Sequence, residues 1–266
     1  MPSLDDLLDL LWGDYTAHNP RVQEIEQLLI QEGEMVVNDH IAFRTFNHPD
    51  IGLRALGHSF EKFDYERSGQ QYQFEEKKLD ASHWEHPDPS YPKIFISELR
   101  VQAFSDEFQQ IVSALIEEVP DDLPHRWDFP CAGRPWEVSY EETQRLREES
   151  EYAAWLAAWG FRANHFTVSV NDLDQYDSLE TLNGFLKENG IQLNQSGGEI
   201  KGSRDVYLEQ SATIANEVER NFSDGSYKVP FSYYEFAKRY ETPEGELFQG
   251  FVADNADKIF ESTDRQ

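Results

Sequence analysis

VVNDHIAFRTF, residues 36–46, reads as a β-strand. It is rich in β-branched and aromatic residues, and its side chains sort by the two-residue period of a pleated chain. His40, Ala42, Arg44 and Phe46 share one face; Ile41 and Phe43 lie on the other. The same phase recurs in NHFTVSV (164–170), where His165, Thr167 and Ser169 oppose Phe166, Val168 and Val170. It recurs again in SYYEFAKRY (232–240), where Tyr233, Glu235 and Ala237 oppose Tyr234 and Phe236. Each stretch sets one residue of metal-ligand type among small or polar neighbours and backs it with an apolar face that helices can cover.

Working outward from residue 36, the chain upstream reads as two helices. Leu4, Leu7, Leu8, Leu10 and Leu11 form one apolar face, Val22, Ile25, Leu28 and Leu29 another, and Asn19-Pro20 breaks them. Downstream, a helix is expected over about 50–60. Strands follow at QYQFEEKK (71–78) and PKIFISELRV (92–101), with a Pro- and His-containing loop at 81–92 between them. Residues 105–118 read as helix, 120–138 as irregular, and 139–159 as a helix closed by Gly160. The second half repeats the order: a strand at 164–170, a helix at 174–189 closed by Gly190, strands at 191–195, 205–215 and 227–240, and a last helix at 254–261. Strand, helix, then several strands occurs twice, which implies two related βαβββ units and an α+β class. The expected layout is a single domain over 1–266. N-terminal helices occupy 1–34, a first half 35–135, a connecting helix 136–160, and a second half 161–266 with its C-terminal helix.

The 266 residues carry a formal net charge of −28, from 51 acidic and 23 basic residues. Such a surface repels phosphate backbones and anionic membranes, so no nucleic-acid or membrane partner is expected. A site for an anionic ligand must build a local positive pocket against that field. No segment reads as a membrane span, and MPSLDDLLDLLW lacks the basic start of a signal peptide. The single Cys131 permits no intrachain disulfide, and a reducing, cytoplasmic setting is expected.

His40, His165 and Glu235 make two imidazoles and a carboxylate, the donor set of non-haem Fe(II) sites. Three protein ligands leave room for a bidentate 2-oxo acid and O2. Strand phase alone leaves the alternative open: a half-exposed sheet with a polar outer face shows the same alternation. His83 and His86 fall in the expected loop and read as exposed. His18, His48, His58 and His125 fall near turns or helix ends.

DHIAFRTF, NHFTVSV and YYEFAKRY, with GGEIKGS (197–203) and LEQSATIANEVE (208–219) between them, resemble the 2-oxoadipate dioxygenase/decarboxylase family, whose enzymes are also called hydroxyglutarate synthases. The likeness runs over roughly 36–240. The family is similar in fold to vicinal-oxygen-chelate proteins, which implies paired βαβββ modules in a curved mixed sheet around a metal site. The Glu-Phe-x-x-Arg run also resembles the iron-ligand strand of 4-hydroxyphenylpyruvate dioxygenase. The resemblance implies Fe(II) on His40, His165 and Glu235, a small 2-oxo dicarboxylic acid and O2 as co-reactants, and a substrate contact from Arg44. Arg44 lies four residues along the strand from His40, roughly 13 Å of Cα separation. A guanidinium there suits a distal carboxylate. The implied reaction converts 2-oxoadipate and O2 to 2-hydroxyglutarate and CO2. Secondary candidates for substrate contact are Arg162, Lys201, Arg204, Ser211, Thr213 and Arg239, each with a plain surface or strand role as its alternative. Glu199 reads as a loop carboxylate. The best-known bacterial members are longer, so the resemblance carries the metal site further than the substrate. The same scaffold also admits a glyoxalase-like lyase, an extradiol dioxygenase, a hydrolase or a non-catalytic small-acid binder.

Overall fold

A computed structural model of the chain describes residues 2–252. Helix α1 (Leu4–His18) starts at Ser3, whose side chain forms a reciprocal capping box with Asp6. It buries Leu4, Leu7, Leu11 and Tyr15, whereas Leu10 is 47% exposed and leaves the expected apolar face. Asn19 ends α1, and Pro20 opens α2 (Pro20–Gln31), where its missing N–H costs nothing.

The sheet is built in two passes. The first is β1 (Asn38–Phe46), α3 (Leu53–Glu61), β2 (Glu66–Phe74), β3 (Leu79–Glu85) and β4 (Lys93–Leu99). Helices α4 (Asp106–Glu117), α5 (Tyr140–Glu149) and α6 (Glu151–Trp159) follow. The second is β5 (Ala163–Ser169), α7 (Leu179–Glu188), β6 (Lys201–Ser203), β7 (Leu208–Ala212), a separate hairpin of β8 (Glu217–Phe222) and β9 (Gly225–Pro230), and β10 (Glu235–Arg239). One eight-stranded sheet runs β2-β3-β4-β1-β5-β10-β7-β6. β1 is parallel to β4, β5 is parallel to β10, and the two passes meet at the antiparallel β1–β5 pair. The paired βαβββ architecture is therefore present, with the β8–β9 hairpin inserted before the last strand. Phe43 packs on Phe60 of α3, and Phe166 packs on Trp12 and Tyr15 of α1, so helices cover the apolar faces of β1 and β5.

Several expected boundaries move. Residues 79–85 are strand rather than loop: Glu75–Lys78 forms the turn, and β3 pairs with both β2 and β4. His83 is consequently buried, with Nε2 donating to Glu85 at 2.8 Å and Tyr72 Oη 3.1 Å from Nδ1. The expected helix at 139–159 divides at Ser150, which leaves helical geometry and caps α6 through the Ala153 N–H. Gly160 ends α6 at φ 72°, and a Cβ there would lie 2.1 Å from the Gly133 carbonyl oxygen, so only glycine fits. The expected helix at 174–189 begins later, at Leu179. Residues 191–195 form only an isolated Leu193–Thr213 bridge, and 227–240 splits into β9 and β10. The expected helix at 254–261 lies outside the described residues. Among those residues no helix is long and apolar enough to cross a membrane.

Candidate metal centre

β1, β5 and β10 are neighbours in the sheet, and their register places the three ligand-type residues on one face. His40 pairs with Thr167, Thr167 with Glu235, and Ala42 with His165. His40, His165 and Glu235 are 3%, 5% and 1% exposed, and one ligand atom from each lies within 4.8 Å of the others. His40 Nε2 is 3.4 Å from Glu235 Oε1, and His165 Nε2 is 3.4 Å from Glu235 Oε2. Ligands at about 2.1 Å from a shared ion lie roughly 3–3.5 Å apart at ordinary coordination angles, so the spacing fits a divalent metal.

Neighbouring groups orient each of the three. His40 Nδ1 donates to Asp39 at 2.7 Å, and Asp39 receives Arg239 through Nε and Nη2 at 2.6 and 2.9 Å. His165 Nδ1 donates to Asn164 Oδ1 at 3.0 Å. Both rings thus carry the proton on Nδ1 and turn the Nε2 lone pair toward the shared point, as a metal-binding histidine does. Gln210 Nε2 donates to Glu235 Oε1 at 2.7 Å, and Thr167 Oγ1 lies 3.1 Å from His40 Nε2. Burial raises the Glu235 carboxyl above its ordinary range, with the adjacent His40 and the Gln210 hydrogen bond opposing. Burial, with the neighbouring His40 and Arg44, drives the His165 imidazole well below its usual pKa. Burial alone would raise Asp39 too, but Arg239 and His40 overturn it and hold that carboxyl far below the carboxylate range. A neutral imidazole beside a carboxylate that is costly to ionise in isolation is a donor set whose charge a bound cation balances.

The three side chains, with Arg44, Tyr233 and Phe251, line a cavity of about 30 Å³, close to the volume of one water. Phe251 covers it, packing edge-on to His40 at 4.9 Å and against Phe95 at 4.7 Å. The Phe251 N–H donates to Tyr72 Oη, and Arg239 Nη1 donates to the carbonyls of Phe248 and Gly250 at 3.0 and 2.7 Å. A larger open groove of about 770 Å³ lies elsewhere, between α3 and residues 116–125. It holds His48, His58 and His125 but none of the triad, so size does not identify the chemistry here.

Arg44 is buried on the cavity wall, its guanidinium over the rings of Tyr152 (5.0 Å) and Trp155 (5.1 Å) of α6. The secondary candidates stand off the cavity. Arg162 binds Asp14 of α1 and the Trp159 carbonyl, which joins helices. Lys201 Nζ donates to the Asn194 carbonyl, and Arg204 lies over Tyr240 at 4.9 Å. Ser211 donates to Asn183 of α7 on the opposite face of β7 from Gln210, and Thr213 Oγ1 accepts the Tyr234 N–H. Arg239 reaches the centre only through Asp39. Glu199 accepts from Lys187, Gln195 and Asn183, as a loop carboxylate. Sequence reasoning passed over Asp39, Asn164, Gln210, Tyr233 and Phe251. Asp39 and Asn164 had a readable sign, since each immediately precedes a ligand-type histidine; Gln210 and Phe251 had none.

The family model described as 2-oxoadipate dioxygenase/decarboxylase matches residues 1–123 and 133–247. The chloroplastic 2-oxoadipate dioxygenase/decarboxylase of Arabidopsis thaliana is 35% identical over 94% of this chain and 74% of its own length. The crystal structure of hydroxyglutarate synthase from Oryza sativa in complex with 2-oxoadipate superposes with a TM-score of 0.90 at 33% identity, covering 97% of this chain and 90% of that one. A crystal structure from Shewanella frigidimarina, provisionally named a hydrolase, gives a TM-score of 0.91 at 48% identity over 95% and 99% of the two chains.

Proposed function

The chain belongs to the 2-oxoadipate dioxygenase/decarboxylase family, and from that premise we propose that His40, His165 and Glu235 hold one Fe(II) ion and that the protein converts 2-oxoadipate and O2 to 2-hydroxyglutarate and CO2. The observation that carries this reading is the buried convergence of two imidazoles and one carboxylate from three neighbouring strands. When bound, the ion supplies the oxygen chemistry and an anchor for the keto acid.

The reaction balances as one substrate and one O2 in, one product and one CO2 out. The C1–C2 bond breaks and C1 leaves as CO2. The oxygen atoms of O2 are retained, one in the new carboxylate and one in the new hydroxyl.

The protein's part is geometry and charge. Asp39 and Asn164 fix the ring tautomers, and Gln210 fixes the carboxylate rotamer, so the donors are aligned before the ion arrives. Arg44 supplies the local positive charge that the net −28 surface lacks, and it pairs with the distal carboxylate of the diacid. Phe95 walls the head of the substrate from water, and because a cavity of about 30 Å³ is too small for the diacid, Phe251 moves aside to admit it. The test is anaerobic Fe(II) loading followed by a panel of 2-oxo acids and O2. Uptake of one O2 per CO2 released, fastest with 2-oxoadipate, is the expected result. If no 2-oxo acid drives oxygen uptake in protein that retains metal, the oxygenase reading is lost.

A further inference from the structure

Two adjacent tyrosines on the approach to β10 have buried hydroxyls without a hydrogen-bond partner among the described residues: Tyr233 and Tyr234. They point to opposite faces of the chain and into different surroundings. Tyr234 packs in the main apolar core beside Trp12, Tyr15 and Phe236. Tyr233 stands apart from that core, touching Ala212, and lines the cavity of the metal centre. Its ring lies nearly parallel to the His165 imidazole, centroids 4.6 Å apart at 27°. It precedes Glu235 by two residues on the same face, so its phenol stands at the metal end of the cavity; Arg44 is four residues along β1 from His40. A buried hydroxyl without a partner costs about 1–3 kcal/mol, and such a group in a native protein calls for a reason. A cavity that receives an anion gives one.

We propose that the Tyr233 hydroxyl is a substrate-binding donor that hydrogen-bonds the carboxylate–keto head of a bound 2-oxo acid, while Arg44 holds the distal carboxylate. This rests on the proposed substrate class and adds a division of labour within it. Tyr233 reads what all 2-oxo acids share. Arg44 reads what only the diacids have. The stack on His165 fixes the phenol by packing, so the donor is in place before the ligand arrives.

The experiment is anaerobic calorimetric titration of Fe(II)-loaded wild type, Tyr233→Phe and Tyr234→Phe with 2-oxoadipate and with 2-oxohexanoate, which lacks the distal carboxylate. Tyr233→Phe keeps the ring and its stack, so metal content stays stoichiometric. Its affinity falls about tenfold or more for both ligands alike, the loss expected of a hydrogen bond to a charged group. Tyr234→Phe leaves both affinities unchanged. Equal affinity of wild type and Tyr233→Phe overturns the inference alone, as does an equal loss in Tyr234→Phe. A metal-loaded wild type that binds neither ligand overturns the inference together with the substrate reading. Should Tyr233→Phe not fold, 3-fluorotyrosine at position 233 in Zn(II)-loaded protein keeps ring and hydroxyl. Its fluorine resonance shifts on addition of 2-oxoadipate, and an unmoved resonance at saturation overturns the assignment.

Discussion

Strands β1 and β4 and strands β5 and β10 form the same parallel pair twice over, each headed by a histidine. Two residues beyond His40, Ala42 faces Phe95; two residues beyond His165, Thr167 faces Glu235. Phe95 therefore stands in the first half where Glu235 stands in the second. One strand further out the contrast continues. Gln210, paired with Ala237, supports the carboxylate; its counterpart Ala81, paired with Ser97, has none to support. Arg44, four residues past His40, corresponds to Ser169, four past His165. The second half thus supplies two of the three proposed ligands, and the first supplies one and walls off and charges the space beside it. A symmetric set of four ligands, two from each half, would hold metal more completely and leave less room for substrate. The departure from symmetry is where function resides.

Breaking the second half has the largest effect. Glu235→Ala removes the only carboxylate from the proposed ligand set; metal analysis should find substoichiometric ion, and oxygen uptake should drop by about 10³-fold or more. Restoring symmetry instead, with Phe95→Glu, should cut oxygen uptake to a comparable extent for the opposite reason: metal content stays full while the added carboxylate takes substrate space. If Phe95→Glu turns over at the wild-type rate, the wall role of Phe95 is wrong. Arg44→Leu should raise KM for 2-oxoadipate by about 10²–10³-fold, the cost of leaving a buried carboxylate unpaired, with metal content unchanged. Gln210→Ala, which only loosens the Glu235 rotamer, should weaken metal affinity about 10–100-fold in a chelator competition. The smallest effect concerns His83, which faces Phe95 where Ala212 faces Glu235. Burial holds the His83 pKa below its ordinary value, with Glu85 opposing. The folded imidazole therefore takes up its proton at lower pH than the unfolded chain, which does so near pH 6.5. Stability should therefore fall as pH drops below about 6.5, and His83→Gln should flatten that part of a Tm-against-pH curve.

The parts legible in the sequence were those with a short period. DHIAFRTF, NHFTVSV and YYEFAKRY showed which residues share a face, and that phase brought His40, His165 and Glu235 within reach of one another. β3 was not legible, because LDASHWE places Asp80, Ser82 and His83 where a loop would. His83 is buried only because Tyr72 and Glu85 satisfy it, and Tyr72 comes from a neighbouring strand. Arg162 and Arg239 looked alike as free cations. Their partners, Asp14 and Asp39, lie 148 and 200 residues away, and no local pattern encodes them. The β8–β9 hairpin did carry a readable sign, the Asp224-Gly225 pair between two alternating runs, but the expected strands at 205–215 and 227–240 left β8 out and merged β9 with β10. Gly160 and Asn19-Pro20 were read correctly because termination is a local property of the backbone.

Arg239 joins two things that are usually separate. One guanidinium grips Asp39, which aims His40, and also grips the carbonyls of Phe248 and Gly250, which seat Phe251 over the cavity. The cover and the proposed ligand are therefore fastened by the same side chain. Arg239→Leu should therefore loosen both at once, His40 through Asp39 and Phe251 through the Phe248 and Gly250 carbonyls. The seal of the chamber and the set of its floor hang on one side chain.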